Sequence, residues 1–471
     1  MVMARRPGDA PRHLDKRLRG RLRDMTAMVE QRPSASFPTI FQQRRTLDGA
    51  YALFSNPRVS PESVLDEHVQ RTILACEKET QVLLISDSTE FTYGGDRDGL
   101  GPLGKGQRGF MGHFCLAVSG VDDRRALGVL DARLWIRPEV SNKGLKRKGK
   151  VTRTDVYHQE NKESLVWMEG AMAAEAALRG AAKAIHVMDS GADDYAQFNG
   201  MHGLGMNYVI RLKHNRTLVD AAGDQKLFEV LEDSAPTILT RKVHLTRRAT
   251  GAAPPKQKRT HPERDDRQAT LRVSVRRVSI KKPHTAMPDF ARAVDVNVIR
   301  VFEENPPMGV EPVEWLLATN LPVGGIERLA HVIDIYRARW LVEEYFKALK
   351  SGCATQSRQL ETGEALMNMV AFFAPIAAQL LALRDASRND PHRPASSIMD
   401  NVELKVLRRI APTPLGLNPT VAEVLAAVAR LGGHLKSNGP PGWAVLTRGY
   451  EELLPLVRYQ RLLDAAQRSP G

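Results

Sequence analysis

A predicted helix over residues 333–352 places four polar side chains in one row. They are separated by three, four and seven positions: Tyr336, Arg339, Glu343 and Lys350. Each separation is close to a whole number of helical turns, so the four side chains line one side of the helix. Gly352 is predicted to cap its end. A carboxylate flanked by a phenol and two cations suits a metal-bound phosphate, although a surface helix with a salt bridge from Arg339 to Glu343 explains the same spacing.

Two apolar segments predict buried strands that each carry an aspartate at the end. The segment 81–93 opens with an apolar run that ends on Asp87, and the segment 184–195 opens with one that ends on Asp189. Together with Glu343 on the helix, these residues form a candidate triad of carboxylates. Three converging carboxylates repel one another, so such a triad requires divalent cations.

These three segments resemble the DDE transposases of the cut-and-paste type, in the insertion-sequence family numbered four. The four helix residues match the family signature, Tyr-x2-Arg-x3-Glu-x6-Lys, without a gap. Residues Asp189 to Asp193 match its second aspartate motif, Asp-x-x-Ala-Asp, and Asp87-Ser88-Thr89 matches the first. The similarity extends from about Arg12 to about Leu463.

The resemblance implies an α/β protein whose catalytic core is RNase H-like, a mixed sheet flanked by helices. The expected regions are an N-terminal helical DNA-binding region in residues 1–57, a catalytic domain in 58–360, and a C-terminal helical dimerisation region in 361–471. Alternating polar and apolar residues predict an all-β insertion over about 221–320. Other helices are predicted over residues 41–55, 59–78, 164–181, 361–388, 401–410, 420–435 and 447–467.

The resemblance also implies a reaction and its cofactor. Two Mg²⁺ ions, for which Mn²⁺ can substitute, would be held by Asp87, Asp189 and Glu343 and would activate water to nick one strand at a transposon end. The 3′-OH would then attack the opposite strand to form a hairpin, which is opened and joined to target DNA. The implied partners are the inverted repeats at the transposon ends, target DNA and a second copy of the chain. The implied DNA contacts are Tyr336, Arg339, Lys350, Lys347, Arg211 and Trp315.

Two of these DNA contacts lie outside the helix. Arg211 is on a predicted strand, where the family has an arginine near the active site. Trp315 lies where the family has a tryptophan that stacks on a flipped base, a contact worth roughly 1–3 kcal/mol. A place in the hydrophobic core suits a tryptophan equally well.

Composition favours a globular protein that binds polyanions. The chain has 471 residues, of which 42% are hydrophobic and 26% charged, and a net charge of +14. Its three cysteines are far apart and form no CxxC pair, which predicts neither a disulfide framework nor a zinc site. The N-terminus has no apolar region of the signal-peptide kind, and the apolar segment 365–386 is interrupted by Pro375, which favours a buried helix over a membrane span. We therefore expect a cytoplasmic, nucleoid-associated bacterial protein without a membrane partner.

Two other functions are also compatible with the sequence, and the first concerns the N-terminal region. Its leucines recur at helical spacing among arginines and lysines, as in the family's DNA-binding region. Relatives have further residues before the position of Asp9, so a shortened reading frame would produce a non-catalytic DNA-binding inhibitor. A structure-specific nuclease on the same sheet would cut DNA without joining it.

A basic segment over residues 141–153 is predicted to be a loop that either contacts phosphates or is simply solvated.

Overall fold

The structure is a computed structural model that describes residues 14–95, 97–139, 163–219, 223–232, 237–245, 265–389, 391–435 and 441–467. The strands are β1 Gln81–Thr92, β2 Gly101–Pro102, β3 Arg108–Ser119, β4 Ala126–Trp135, β5 Lys183–Met188, β6 Asn207–Arg211, β7 Thr217–Leu218, β8 Gln225–Lys226, β9 Leu239–Leu245, β10 Arg267–Lys281, β11 Ala293–Glu304 and β12 Glu314–Thr319. The predicted basic loop over residues 141–153 lies outside the described residues.

Helices precede, separate and follow these strands along the chain. They are α1 Lys16–Val29, α2 Phe37–Ile40, α3 Arg44–Phe54, α4 Pro61–Cys76, α5 Leu165–Leu178, α6 Tyr195–Gly203, α7 Leu227–Glu232, α8 Ile326–Ala338, α9 Trp340–Lys347, α10 Gly363–Asn389, α11 Asn401–Ile410, α12 Val421–Leu431 and α13 Trp443–Ala466. The chain divides into two compact units. The first unit comprises residues 1–148, 169–183 and 340–471, and the second comprises 149–168 and 184–339.

The first unit is built on an antiparallel arrangement of β1, β3 and β4. β3 pairs with β1 on one side and with β4 on the other, and β2 pairs with the start of β3. Residues Val82 to Ile85 of β1 are fully buried. α4 and α10 both pack against β4. The sheet therefore has helices over it, as predicted.

The apolar helix α10 lies in the core of the first unit. Residues Gly363–Ala382 are long and apolar enough to cross a membrane by length and composition, but most of this segment is buried inside the protein. Phe373 stacks on Phe37 of α2, and Asn368 donates hydrogen bonds to the carbonyls of Phe54 and Val59. The prediction of a buried helix is confirmed, and the N-terminal helices pack on it.

The N-terminal region is helical, with one change from the prediction. α1 begins after Asp15, whose carboxylate accepts the N–H of Leu18 at 2.9 Å. The helix predicted over residues 41–55 is present as α3, which begins three residues later, and the short helix α2 precedes it. Phe41 ends α2 with φ −99° and ψ 70°, outside the helical region, so the chain bends there before α3 begins.

The second unit contains a mixed sheet in the order β5-β6-β12-β11-β10-β7-β8, with β9 also paired to β10. β5 and β6 are parallel, whereas β12 is antiparallel to β6. α8 packs against β6 and β9, and α6 packs against β11. A parallel pair followed by antiparallel strands, with helices against it, matches the predicted mixed α/β arrangement.

The segment predicted to be an all-β insertion extends this sheet. β12 pairs with β6, and the Thr319 hydroxyl donates to the Tyr208 carbonyl at 2.6 Å, so the segment is hydrogen-bonded directly to the strands before it. The segment also contains the short helix α7, so it is β-rich and not all-β.

The C-terminal region is helical, as predicted, with shifted ends. α11 has the predicted bounds, α12 ends at Leu431 because Gly432 caps it, and α13 begins at Trp443. A Cβ on Gly449 would collide with the carbonyl of Val428, so this glycine is what allows α12 and α13 to pack closely.

Candidate active site

Asp87 lies inside β1 and not at its end, which corrects the predicted position. β1 continues to Thr92 because its pairing with β3 continues to Gly109. The Asp87 carboxylate accepts the N–H of Ser88 at 2.8 Å and is 9% exposed. The sequence predicted only the apolar first part of this strand, because the polar residues after Asp87 do not show that the pairing with β3 continues.

A buried histidine lies directly across the ladder from Ser88. The Ser88 hydroxyl and His113 Nδ1 are 2.8 Å apart. Burial lowers the pKa of His113 to about 3, and Arg133 adds to this shift. His113 is therefore neutral near neutral pH, and the residue after Asp87 is held by an uncharged imidazole.

The predicted helix over residues 333–352 consists of three successive segments. α8 begins earlier, at Ile326, and ends at Ala338; α9 follows; and residues Ala348–Gly352 form a π turn. The N–H of Arg339 donates to the carbonyl three residues back, at Tyr336, and that of Cys353 to the carbonyl five back, at Ala348. Both bonds depart from the α-helical pattern, which accounts for the interruptions. Gly352 is inside the π turn, and Cys353 caps it, not Gly352.

In the first unit, Lys350 joins the π turn to β1. Its ammonium donates to the Thr89 hydroxyl at 2.7 Å and lies 5.3 Å from the centre of the Phe91 ring. Burial lowers the pKa of Lys350 to about 8, and the charges of Glu90 and Glu343 oppose this shift. α9, which carries Glu343 in its first turn, also packs against β1. Glu343 and Lys350 are therefore brought to the strand that carries Asp87.

In the second unit, Asp189 lies among residues of the predicted phosphate-binding set. It follows β5 immediately, as predicted, and its carboxylate accepts the N–H of Gly191 at 2.6 Å. Tyr336 is buried, and burial raises the pKa of its hydroxyl, opposed by the charges of Arg339 and Arg211 and reinforced by that of Asp189. Arg211 also hydrogen-bonds the Tyr336 hydroxyl. The Asp189 carboxylate and the guanidinium groups of Arg211 and Arg339 thus all interact electrostatically with the Tyr336 phenol.

The two remaining predicted DNA contacts have partners within the protein. Trp315 is partly exposed on β12, and its ring centre is 5.8 Å from that of Tyr336. One part of the indole packs against a signature residue, and the rest remains accessible. Lys347 is half-exposed, donates to Glu344 Oε1 at 2.9 Å, and lies 5.5 Å from the centre of the Trp340 ring.

Sequence reasoning missed Glu344, the residue next to Glu343. This carboxylate is buried and accepts hydrogen bonds from Arg384 Nη1 at 2.6 Å and from Trp443 Nε1 at 3.2 Å, in addition to Lys347. It ties α9 to α10 and α13. The sequence contained one signal for it, a second glutamate among the apolar residues that face the core.

The candidate metal ligands have suitable chemistry, since carboxylate oxygens are the hard ligands that Mg²⁺ takes. Over the described ranges, however, no group of three or more His, Cys, Asp and Glu side chains is arranged to hold a metal ion. The structure brings Glu343 and Lys350 together in the first unit, and Asp189, Arg211 and Tyr336 in the second.

Two protein-family models match the chain. A model described as "Transposase DDE domain" matches residues 169–374, and one described as "Transposase DNA-binding" matches residues 14–59. The first range contains Asp189, Arg211, Trp315 and the complete helix signature, and Asp87 precedes it. The second range covers α1, α2 and α3. The mixed sheet flanked by helices agrees with the RNase H-like fold expected from the sequence, and DDE transposase domains as a class use divalent cations.

Proposed function

We propose that this chain, which carries a transposase DDE domain and a transposase DNA-binding domain, is a DDE transposase that moves DNA by a cut-and-paste reaction. The observation that carries the proposal is that the matched DDE domain contains Asp189 together with the whole signature from Tyr336 to Lys350. The finer assignment to the insertion-sequence family numbered four rests on that signature.

In this proposal Asp87, Asp189 and Glu343 would hold two Mg²⁺ ions. When bound, the ions would supply an activated water and would stabilise the attacking and leaving oxygens of the phosphoryl transfer. Water attacks the phosphorus at the transposon end and releases a 3′-OH. That hydroxyl attacks the opposite strand to form a hairpin, which is later opened, and the freed end is joined to target DNA. Ser88 supports the role of Asp87 by donating its N–H to the carboxylate.

The cations of the site position the DNA phosphates. Arg211 and Arg339 can each bond two phosphate oxygens, whereas Lys350 acts as a point charge whose ammonium is held by Thr89. The Tyr336 hydroxyl, beside Arg211, is a further donor to the same phosphate. Lys347 contributes from the exposed side of α9. Trp315, with one part of its ring against Tyr336, stacks on a base flipped from the end.

We also propose the partners and regions of the active form. The N-terminal region, residues 1–57, binds the inverted repeats, and the catalytic domain spans 58–360. The C-terminal region, 361–471, joins two copies in the DNA complex. Leu456, Tyr459 and Leu462 are exposed on α13 and support an apolar contact there. The protein acts on nucleoid DNA in the bacterial cytoplasm.

A cleavage and joining assay tests the proposal. The purified chain is incubated with Mg²⁺, linear DNA bearing the ends of its own element, and a supercoiled target. We expect nicks at the ends, hairpin-capped fragments and insertion into the target. Cutting without any joined product would instead indicate a structure-specific nuclease. Binding to the ends without cutting would indicate a DNA-binding inhibitor.

A further inference from the structure

Asp193, the last residue of the Asp-x-x-Ala-Asp motif, is a buried carboxylate surrounded by donors. Its Oδ2 accepts the N–H of Lys213 at 2.7 Å and that of His214 at 2.9 Å, and its Oδ1 accepts Nε of Arg216 at 2.8 Å. A second guanidinium nitrogen of Arg216 bonds the same Oδ1. The side chain is 0% exposed. With both oxygens bonded to one loop, Asp193 is not arranged to bind a metal ion.

The loop that Asp193 holds follows β6. Leu212 extends the strand by donating its N–H to the carbonyl of Leu316 at 2.7 Å, and the backbone of the next two residues then turns to Asp193. Arg216 closes the loop, with its guanidinium 5.5 Å from the centre of the Phe198 ring. The loop therefore has a fixed backbone.

Lys213 and His214 point their side chains outward from this fixed loop. Both are exposed, and in the described part of the chain neither forms an ion pair. Their backbone N–H groups are already used by Asp193, so only the side chains are available to a ligand. A cation and an imidazole donor on an immobilised loop suit an anion, because little conformational entropy remains to be lost on binding.

The chain ties this loop to the candidate active site at two points. Lys213 lies two residues after Arg211, which is the last residue of β6. Asp193 lies four residues after Asp189, across the short 3₁₀ turn Ser190–Ala192. The loop is therefore held next to the neighbourhood of Asp189, Arg211 and Tyr336.

We propose that Lys213 and His214 form an additional binding element for a DNA phosphate, and that Asp193 is its positioning residue. The proposal rests on the transposase function above and extends the DNA path beyond the signature residues. Asp193 acts only through the loop. Its role in the Asp-x-x-Ala-Asp motif is therefore to position the loop backbone and not to bind a metal ion.

The surface pair is tested by DNA binding, which does not require cleavage. Affinity of the full chain for a duplex bearing the element's end is measured from low to moderate salt for wild type, Lys213→Ala, His214→Ala and the double variant. We expect the double variant to bind about tenfold more weakly and its log–log salt slope to be smaller by about 1, the contribution of one phosphate contact. Lys183→Ala, which removes an exposed lysine at the opposite end of β5 from Asp189, should leave both quantities unchanged.

Asp193 is tested in the same assay together with binding of Mn²⁺ measured by titration. Asp193→Asn should reproduce the weaker DNA binding of the double variant, add nothing further when combined with it, and leave the Mn²⁺ affinity unchanged. An unaltered salt slope in the double variant would overturn the phosphate element, and a loss of Mn²⁺ affinity in Asp193→Asn would overturn the positioning role. If Asp193→Asn does not fold, the exposed pair still decides the proposal. Failure of the transposase function itself would appear separately, as wild type that binds DNA but joins none.

Discussion

At the scale of single residues, Asp189 and Asp193 show how surroundings decide the work of a carboxylate. Asp193 is completely buried and accepts bonds from Lys213, His214 and Arg216. Asp189 is partly exposed directly after β5 and accepts a backbone N–H from Gly191. A divalent cation needs oxygens with lone pairs that remain accessible, so of the two only Asp189 suits a metal.

Removing any one of the proposed metal ligands should stop the chemistry without unfolding the protein. For Asp87→Asn, Asp189→Asn and Glu343→Gln we expect the rate of strand cleavage to fall below about one hundredth of the wild-type rate. Residues that only hydrogen-bond a metal ligand typically cost about 10–100-fold when they are changed, and loss of the ligand itself should cost more. Cleavage of end-bearing DNA in Mg²⁺ measures this, with DNA affinity and melting temperature followed in parallel. Asp122→Asn, at an exposed aspartate, is the control. Near-normal cleavage by any one of the three variants would show that the ligand assignment is incorrect.

His68 makes the stability of the first unit depend on pH. Its Nε2 accepts the N–H of Val129 at 3.0 Å, and burial lowers its pKa from 6.5 to about 4, with a contribution from Arg71. Below pH 6.5 the unfolded chain takes up a proton that the folded chain does not, so stability is lost as pH falls from 6.5 to 4. At pH 5 this loss is about 2 kcal/mol.

The variant His68→Gln should remove that part of the acid sensitivity, since its amide oxygen can accept the same N–H and does not titrate. Urea unfolding at pH 7 and pH 5 should show a smaller loss of unfolding free energy for His68→Gln than for wild type. His331→Gln, at an exposed histidine, should behave as wild type does. Equal losses in all three proteins would refute the role of His68.

At the scale of elements, the short helix α9 carries Glu343 and is held by the buried Glu344. Arg384 on α10 and Trp443 on α13 both donate to Glu344, and the guanidinium lies 4.5 Å from the centre of the indole ring. A helix of this length is not stable by itself, so its position depends on such tertiary contacts. The anchoring of α9 thus involves the C-terminal helices directly.

The variant Glu344→Ala should destabilise the protein by about 3–5 kcal/mol, because it removes the buried carboxylate that pairs with the largely buried guanidinium of Arg384. Lys347→Ala removes the half-exposed partner of the same carboxylate and should cost less than about 1 kcal/mol. Urea unfolding of both variants gives the comparison. Similar small losses in both would mean that Glu344 does not anchor the helix.

Element types followed from the sequence more reliably than element ends. The period of the apolar residues indicated α1, α10 and α11, and the alternation in the segment 221–320 indicated its strands. The continuation of β1 past Asp87 depends on its partner β3, and the breaks at Arg339 and in the π turn depend on hydrogen bonds. Neither can be seen in a local pattern.

At the scale of the whole molecule, the net charge of +14 makes binding to DNA depend strongly on salt. We expect the affinity for an unrelated duplex to fall steeply between about 50 and 200 mM salt, with a log–log slope of about −0.9 for each phosphate neutralised. Affinity for the element's own end should be higher than affinity for the unrelated duplex at every salt concentration. Fluorescence anisotropy measures both, and a salt-independent affinity would contradict an electrostatic contact with the backbone.

The sequence by itself determined the chemistry available to this protein: the spacing of Tyr336, Arg339, Glu343 and Lys350, the Asp189 motif and the basic surface. Spacing along a chain is a local property, so it can be read without a fold. Only the tertiary structure decided that Asp193 holds a loop, that Glu344 anchors a helix and that Lys350 is bonded to Thr89. Those roles depend on partners distant in sequence and on burial, since a buried carboxylate or ammonium persists only where such partners satisfy it.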